Sequence, residues 1–256
     1  MNKLDARITA LMAALLLPLS VSADINPQPA LFENAEKFEL HSKEIGEDFL
    51  IQVGLPASYA TGDKRYPVLY VLDGNITFGS SNEMVRLMPV DLIEPGFPEL
   101  IVVSIGYVKA HLFGPLRTRD LTPKGSVPES FFGASGQDDS AVPRAADHPA
   151  WVTAQPAPDQ LTSGGADAFL AFIEKQLDPV IRKQYRTDGG QAGILGDAFG
   201  GLFTYYAFLK QSPLFDKYWL GSPGLIQEDT QLLEELPALL QNTCLLYTSP
   251  SPRDRG

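Results

Sequence analysis

A chain of 256 residues suits one α/β domain or two small ones, and 44% hydrophobic with 10% aromatic residues supplies a real core and argues against wholesale disorder. The formal charge of −11 repels phosphate backbones and so argues against nucleic-acid binding. The three histidines, His41, His111 and His148, do not cluster with cysteine or at metal-ligand spacing, and neither GxxxxGK[ST] nor GxGxxG occurs, so no metal or nucleotide cofactor is expected.

The first segment, "MNKLDARITALMAALLLPLSVSA", has basic Lys3 and Arg7, an apolar run from Ile8, and Val21 and Ala23 flanking Ser22. That order is the n-region, h-region and cleavage pattern of a secretory signal peptide, so residues 1–23 are expected to direct export to the periplasm or beyond and to be removed after Ala23. The apolar run is short and holds Pro18, and nothing downstream reaches the roughly 20 apolar residues of a membrane span. No membrane span is expected once the signal is cleaved.

Next come two strand-like runs, about Phe38 to Ser42 and Asp48 to Val53, joined by a Gly-containing turn and suited to an antiparallel edge. "YPVLYVLDG" (Tyr66 to Gly74), "LIVVSIGY" (Leu100 to Tyr107), "GQAGILGD" and "KYWLGSPG" (Lys217 to Gly224) are nearly continuous apolar runs, as buried strands are. Between them "SSNEMVRLM" predicts a modest helix. "GADAFLAFIEKQLDPVIRKQY" predicts a strong one, with Phe169, Phe172, Ile173, Leu177, Val180 and Ile181 on one side and a kink or split at Asp178-Pro179. "GLFTYYAFLKQ" is apolar nearly all round and predicts a buried helix. Such alternation implies an α/β fold, a mostly parallel sheet with helices on both faces. Residues 124–163, rich in Pro, Ala, Ser, Asp and Gly, form a surface excursion longer than an ordinary loop.

Within "GILGDAFGG" (Gly193 to Gly201), Gly196 and Gly200 stand two before and two after Ala198. This is the spacing of a nucleophile elbow, a tight strand-to-helix turn with no room for side chains at the flanking glycines, but with a methyl group where a serine hydroxyl belongs. A glycine-punctuated turn is a weak signal alone; the preceding strand and following buried helix strengthen it. Together with "YPVLYVLDGN", "RTRDLTP", "SGGADAFLAFIEKQLDPVIRKQYRTD" and "GILGDAFGGLFTYYAFLKQSPLFDKYWLGSPGL", it resembles an esterase family of α/β-hydrolases, over roughly residues 35 to 227 in consistent order. That family includes esterase D-type enzymes and the periplasmic hydrolases of enterobactin-like siderophores.

The resemblance implies an α/β-hydrolase fold and carboxylic-ester hydrolysis of a small-molecule ester. Ala198 falls at the nucleophile position, with the N–H of Phe199 as one oxyanion donor and that of Gly74 or Asn75 as the other. Asp73-Gly74 is equally readable as a simple turn. Arg117 and Arg119 are candidates to hold an anionic substrate or ligand or to pair with Asp120; pairing is expected for one of them and the other stays open. Ser222, before Pro223 and Gly224 at a strand end, either faces the site or belongs to a turn. The family's acid and histidine follow the nucleophile in chain order, yet all three histidines here precede Ala198. Asp216 leads into a strand, too early for the acid, and Asp229 is a poor fit.

The end of the chain bears on this. "CLLYTSPSPRD" (Cys244 to Asp254) holds the only cysteine, lacks periodicity and resembles a translated sequencing-library adapter. The expected organisation is therefore a signal peptide at 1–23, an α/β-hydrolase domain at 24–243 missing its C-terminal part, and a non-native tail at 244–256. Truncation accounts for a missing histidine but not for Ala198. Two origins fit the alanine: a lineage that lost its nucleophile and kept a binding pocket, or a change in one copy.

Overall fold

The computed structural model describes residues 32–90, 96–126 and 162–223. The expected signal segment, the interior of the Pro-rich excursion, His148, Gly224, Asp229 and the adapter-like tail lie outside the described residues. The chain divides after Glu33, and the architecture below is that of the unit from Asn34 onward.

Six strands form one sheet among the described residues: β1 (Ala35–His41), β2 (Asp48–Gly54), β3 (Val68–Val71), β4 (Ile101–Tyr107), β5 (Ala192–Asp197) and β6 (Phe215–Gly221), in the order β1-β2-β4-β3-β5-β6. The first two pairings, β1 with β2 and β2 with β4, are antiparallel, and the rest are parallel. The amphipathic opening hairpin thus becomes the antiparallel edge, and the apolar runs become the parallel centre, where both faces are covered.

One face carries most of the core. Phe49, Ile51 and Val53 of β2, Tyr70 of β3, Ile101, Val103, Ile105 and Tyr107 of β4 and Ile194 of β5 pack there. They meet helix α2 (Phe113–Leu121), the long helical segment and helix α5 (Phe199–Leu209). Phe49 stacks on Phe172 at 4.7 Å between ring centroids, and Phe169 meets Phe203 edge-on at 5.1 Å. The opposite face, with Val71 and Val102, is covered by Val85 of helix α1 (Gly74–Leu87). That helix starts six residues before the run that predicted it. Buried Phe78 and the Thr77 hydroxyl, which donates to the Leu72 carbonyl at 2.7 Å, dock its first turns despite their poor helix formers.

The expected kink or split at Asp178-Pro179 takes the form of two α-helices joined by a π turn, the second beginning at Asp178. Helix α3 (Ala166–Phe172) runs through a π turn (Ile173–Leu177) into α4 (Asp178–Gln184). Proline lacks an N–H and clashes with the carbonyl four residues back. One wider turn, in which the Asp178 N–H donates to the Ile173 carbonyl, accommodates it.

Strand β6 also differs from expectation. It is mostly exposed, with Trp219 at 54% and Leu220 at 37%. Among the described residues it pairs with β5 alone, so no described element covers its outer side.

The "SGGA" run is explained by how the excursion returns. Gly164 is left-handed at φ +90°, and its N–H donates to the Thr122 carbonyl at 3.0 Å. A Cβ at Gly165 would stand 2.7 Å from the Arg119 carbonyl oxygen. The two ends of the excursion therefore close against the C-terminus of α2.

Candidate active site

The site is built at the C-terminal ends of β3, β4, β5 and β6, where open α/β sheets place ligands. Strand β5 ends at Asp197, and α5 begins at Phe199, leaving Ala198 alone in the turn with φ 53° and ψ −114°. An L-residue holds that conformation only under strain, which the surroundings must enforce. The Ala198 N–H donates to the Gly221 carbonyl at 3.0 Å, and its own carbonyl accepts the Leu202 N–H at 2.9 Å. A Cβ at Gly196 would stand 2.2 Å from the Gly200 oxygen, and one at Gly201 would stand 2.6 Å from the Gly221 oxygen and 3.0 Å from Pro223 Cα. The glycines are therefore steric requirements of the turn. Ser222, at φ 37°, belongs to the segment packed against the first turn of α5.

The neighbouring strand β3 runs through Leu72 into Asp73, which caps α1 in the left-handed region at φ 57°, ψ 39°. Gly74 opens the helix, wedged so tightly that a Cβ would lie 2.4 Å from Ser104 Oγ. The side chain of Asn75 is engaged with β4: its Nδ2 donates to the Tyr107 carbonyl at 2.9 Å and its Oδ1 accepts the Tyr107 N–H at 2.7 Å. This amide clip ties the start of α1 to the end of β4. The Asp73 turn and the elbow face each other, since a Cβ at Gly200 would stand 3.2 Å from Asp73 Oδ2.

Both arginines are engaged. Arg119 donates from Nε to Asp120 Oδ1 at 2.7 Å and from NH2 to Oδ2 at 3.0 Å. Burial raises the Asp120 carboxyl, against the pull of Arg119. Arg117 makes the corresponding two-pronged contact with Asp73, at 2.8 and 2.7 Å, although the two residues lie 44 positions apart. Its guanidinium lies over the rings of Phe113, at 5.5 Å, and Phe199, at 5.2 Å. Burial works against the Arg117 charge, but Asp73 outweighs it and holds its pKa above the ordinary value. The expectation of one pairing and one open arginine thus becomes two pairings, and Arg117 takes a distant acid rather than Asp120. The pair was invisible in the sequence. An Asp before Gly signals a turn, but nothing local names its partner.

The described histidines sit apart from a triad arrangement. His41 is exposed on edge strand β1 and shares a 2.8 Å contact with Asp48. His111 lies exposed in the turn Ala110–Leu112 after β4. Asp216 pairs with Lys217 at 2.7 Å on β6. Among the described residues no group of three or more His, Cys, Asp or Glu side chains is placed to hold a metal ion, and no helix is long and apolar enough to cross a membrane.

No protein-family model matches the chain. The chain is 33% identical over 160 residues to the ferri-bacillibactin esterase BesA of Bacillus subtilis, covering 62% of this chain and 48% of that protein. It is 28% identical over 222 residues to a siderophore triacetylfusarinine C esterase of Aspergillus fumigatus, covering 84% of this chain and 64% of that one. The chain therefore spans about half to two thirds of these relatives' lengths. The solved IroE-like serine hydrolase of Shewanella oneidensis superposes with a TM-score of 0.61 at 27% identity, over 81% of this chain and 56% of that one. With the elbow and sheet order described above, these likenesses place the chain on the α/β-hydrolase fold, with a sequence similar to those of siderophore esterases.

Proposed function

We propose that the protein is an exported α/β-hydrolase of the carboxylic-ester hydrolase type, whose site takes a small-molecule ester, of the siderophore type or another acyl ester, and that the chain is inactive in its present form. The strained turn at Ala198, aimed at the Asp73-Gly74 turn, is the observation that carries the reading. In this reading Ala198 occupies the nucleophile position, and the backbone N–H groups of Phe199 and Gly74 receive the carbonyl oxygen. Both residues open helices, so the dipoles of α5 and α1 favour charge developing there. A serine at 198 would attack the ester carbonyl, form an acyl-enzyme and release the alcohol, with a histidine taking and returning the proton. The chain as given has no hydroxyl at 198 and no histidine after it. Residual catalysis from the oxyanion groups alone is roughly 10³- to 10⁴-fold over water. Export rests on the pattern of residues 1–23, and the −11 charge supports a small-molecule partner over nucleic acid.

A second reading, a non-catalytic binding protein that keeps the pocket, is favoured by Ala198 itself. In it the ligand meets backbone N–H groups, since Arg117 and Arg119 already hold carboxylates.

Hydrolysis of a p-nitrophenyl ester by four proteins separates the two: the present chain and a longer product of its gene that extends past Thr243, each with Ala198 or Ala198→Ser. The enzyme reading expects turnover only in the longer product carrying serine. Equal inactivity of the two longer forms favours the binding protein. Strong turnover by the present chain with Ala198 overturns both.

A further inference from the structure

We propose that Arg117 is a positioning residue for the elbow site: by binding Asp73 it fixes the turn that opens α1 and neutralises a carboxylate that otherwise stands beside the first turn of α5. The proposal rests on the reading of the elbow as an oxyanion-binding site.

Three observations converge on it. An aspartate at a helix N-cap ordinarily accepts a hydrogen bond from the N–H groups of the first turn. Asp73 makes no such cap bond; its carboxylate is turned onto Arg117, which holds both oxygens. The Ile76 N–H is taken by the Asp73 carbonyl at 2.9 Å, but the Asp73 side chain does not occupy the N-terminal end of α1. The Asp73 carboxylate also reaches toward α5, with Oδ2 3.2 Å from where a Cβ at Gly200 would be. A bare negative charge there opposes binding of any anion at the elbow, and the guanidinium cancels it. Finally, the same guanidinium lies over Phe199, the residue next to Ala198, at 5.2 Å. One planar cation thus touches the residue before Gly74 and the residue after Ala198, a geometry that lysine's compact ammonium does not reproduce. The other groups facing Arg117 are Phe113 of α2, Tyr107 of β4 and Asp197 of β5. Burial, then Asp120 and Asp73, keep the Tyr107 hydroxyl protonated far above its usual range, so it adds no charge of its own.

The test places a thiol at the elbow. In a Cys244→Ser background, Ala198→Cys is alkylated with iodoacetamide across pH, and the rate profile gives the thiol pKa. Near a helix N-terminus that pKa is expected to fall below about 8.5. A value at or above it sinks the elbow reading itself, independently of Arg117. Given a lowered thiol, Arg117→Met raises its pKa by about one unit or more, and Asp73→Asn, nearly isosteric and gentle on folding, lowers it. The double change returns it near the starting value, and Arg117→Lys, which keeps the charge but not the two-pronged contact, recovers only part of the shift seen with methionine. A purely structural arginine leaves the thiol pKa unmoved in every folded variant. Single changes that shift the thiol in the same direction, or an Asp73→Asn protein with an unshifted thiol, overturn the proposal, the latter even where Arg117→Met does not fold.

Discussion

The backbone of Gly200 passes so close to Gly196 that a Cβ at 196 would stand 2.2 Å from the Gly200 oxygen and 2.3 Å from its carbonyl carbon. Backbone atoms at that distance have no rotamer to retreat into, so Gly196→Ala must push β5 and α5 apart. Overpacking of this kind costs roughly 1–3 kcal/mol, and a backbone clash belongs at the upper end. Gly62 is the control, since a Cβ there meets nothing within 4 Å and its φ of −153° suits any residue. Thermal melts are expected to show a large drop for Gly196→Ala and a change within about 0.5 kcal/mol for Gly62→Ala. Similar effects at both positions would mean the elbow is looser than described.

Ala198 itself carries the opposite expectation. At φ 53°, ψ −114° an alanine stores strain of about 1–3 kcal/mol, whereas glycine adopts positive φ freely. Glycine's larger unfolded-state entropy offsets about 0.5–1 kcal/mol of the relief. Ala198→Gly is therefore expected to stabilise the fold by about 1 kcal/mol, read as a higher denaturation midpoint at unchanged slope. Ala198→Ser, with the same backbone demands, is expected within about 0.5 kcal/mol of the parent. A destabilised glycine variant would show that the turn is relaxed in solution.

The elbow and the central strands were legible because they are local: apolar runs bounded by turn residues, and glycines at fixed offsets around Ala198. What the sequence hid depends on pairings across the fold. Nothing near Arg117 points to Asp73, because the two meet only once α1 and α2 both stand at the C-terminal edge of the sheet. The early start of α1 is likewise a tertiary effect, since Gly74, Ile76 and Thr77 are poor helix formers held by docking of Phe78. The apolar letters of "KYWLG" suggested burial, but burial depends on which neighbours a strand has, and Trp219 shows the difference.

Glu99 gives a stability term with a definite pH direction. Its carboxylate accepts the Ser58 hydroxyl at 2.6 Å, the Ser58 N–H at 3.1 Å and Lys64 Nζ at 3.0 Å, pinning the turn Ala57–Thr61 near the start of β4. The Ser58 hydrogen bond chiefly lowers its pKa, with burial opposing and Lys64 assisting. A carboxyl whose folded pKa lies below its unfolded one stabilises the fold fully above the unfolded value, and that contribution fades as pH falls through the folded value. Glu99→Gln should therefore lower the melting temperature at pH 7, and the gap from the parent should shrink steadily below about pH 4.3. A gap that is constant or widens on acidification would contradict the assignment.

The buried end of the long helical segment offers the sharpest stability test. Tyr70 of β3, fully buried, donates its hydroxyl to Asp178 Oδ1 at 3.0 Å, and Arg182 donates from Nε to Asp178 Oδ2 at 2.6 Å and from NH2 to the Gly190 carbonyl at 2.9 Å. Asp178 stands where the π turn hands over to α4, so this acid, buried on the apolar side of the helix, pins the irregular turn to the centre of the sheet. Burial first, and Asp178 next, push the Tyr70 hydroxyl far above its usual range, so it remains a donor at any working pH. Removing that donor with Tyr70→Phe leaves the carboxylate its arginine and is expected to cost about 1–2 kcal/mol. Arg182→Met leaves the carboxylate its tyrosine but no counter-charge; because the arginine is partly exposed, the expected cost is about 2–3 kcal/mol, below the full penalty of a deeply buried pair. The double variant strands Asp178 with neither partner, so its loss should exceed the sum of the single losses by at least about 0.5 kcal/mol. Asp178→Asn in the double background should then recover stability, because a neutral amide is cheaper to bury than a bare carboxylate. Urea denaturation of the parent and these four variants measures every term. Strict additivity, or no recovery with asparagine, would mean that Asp178 is solvated and that the π turn is held by apolar packing alone.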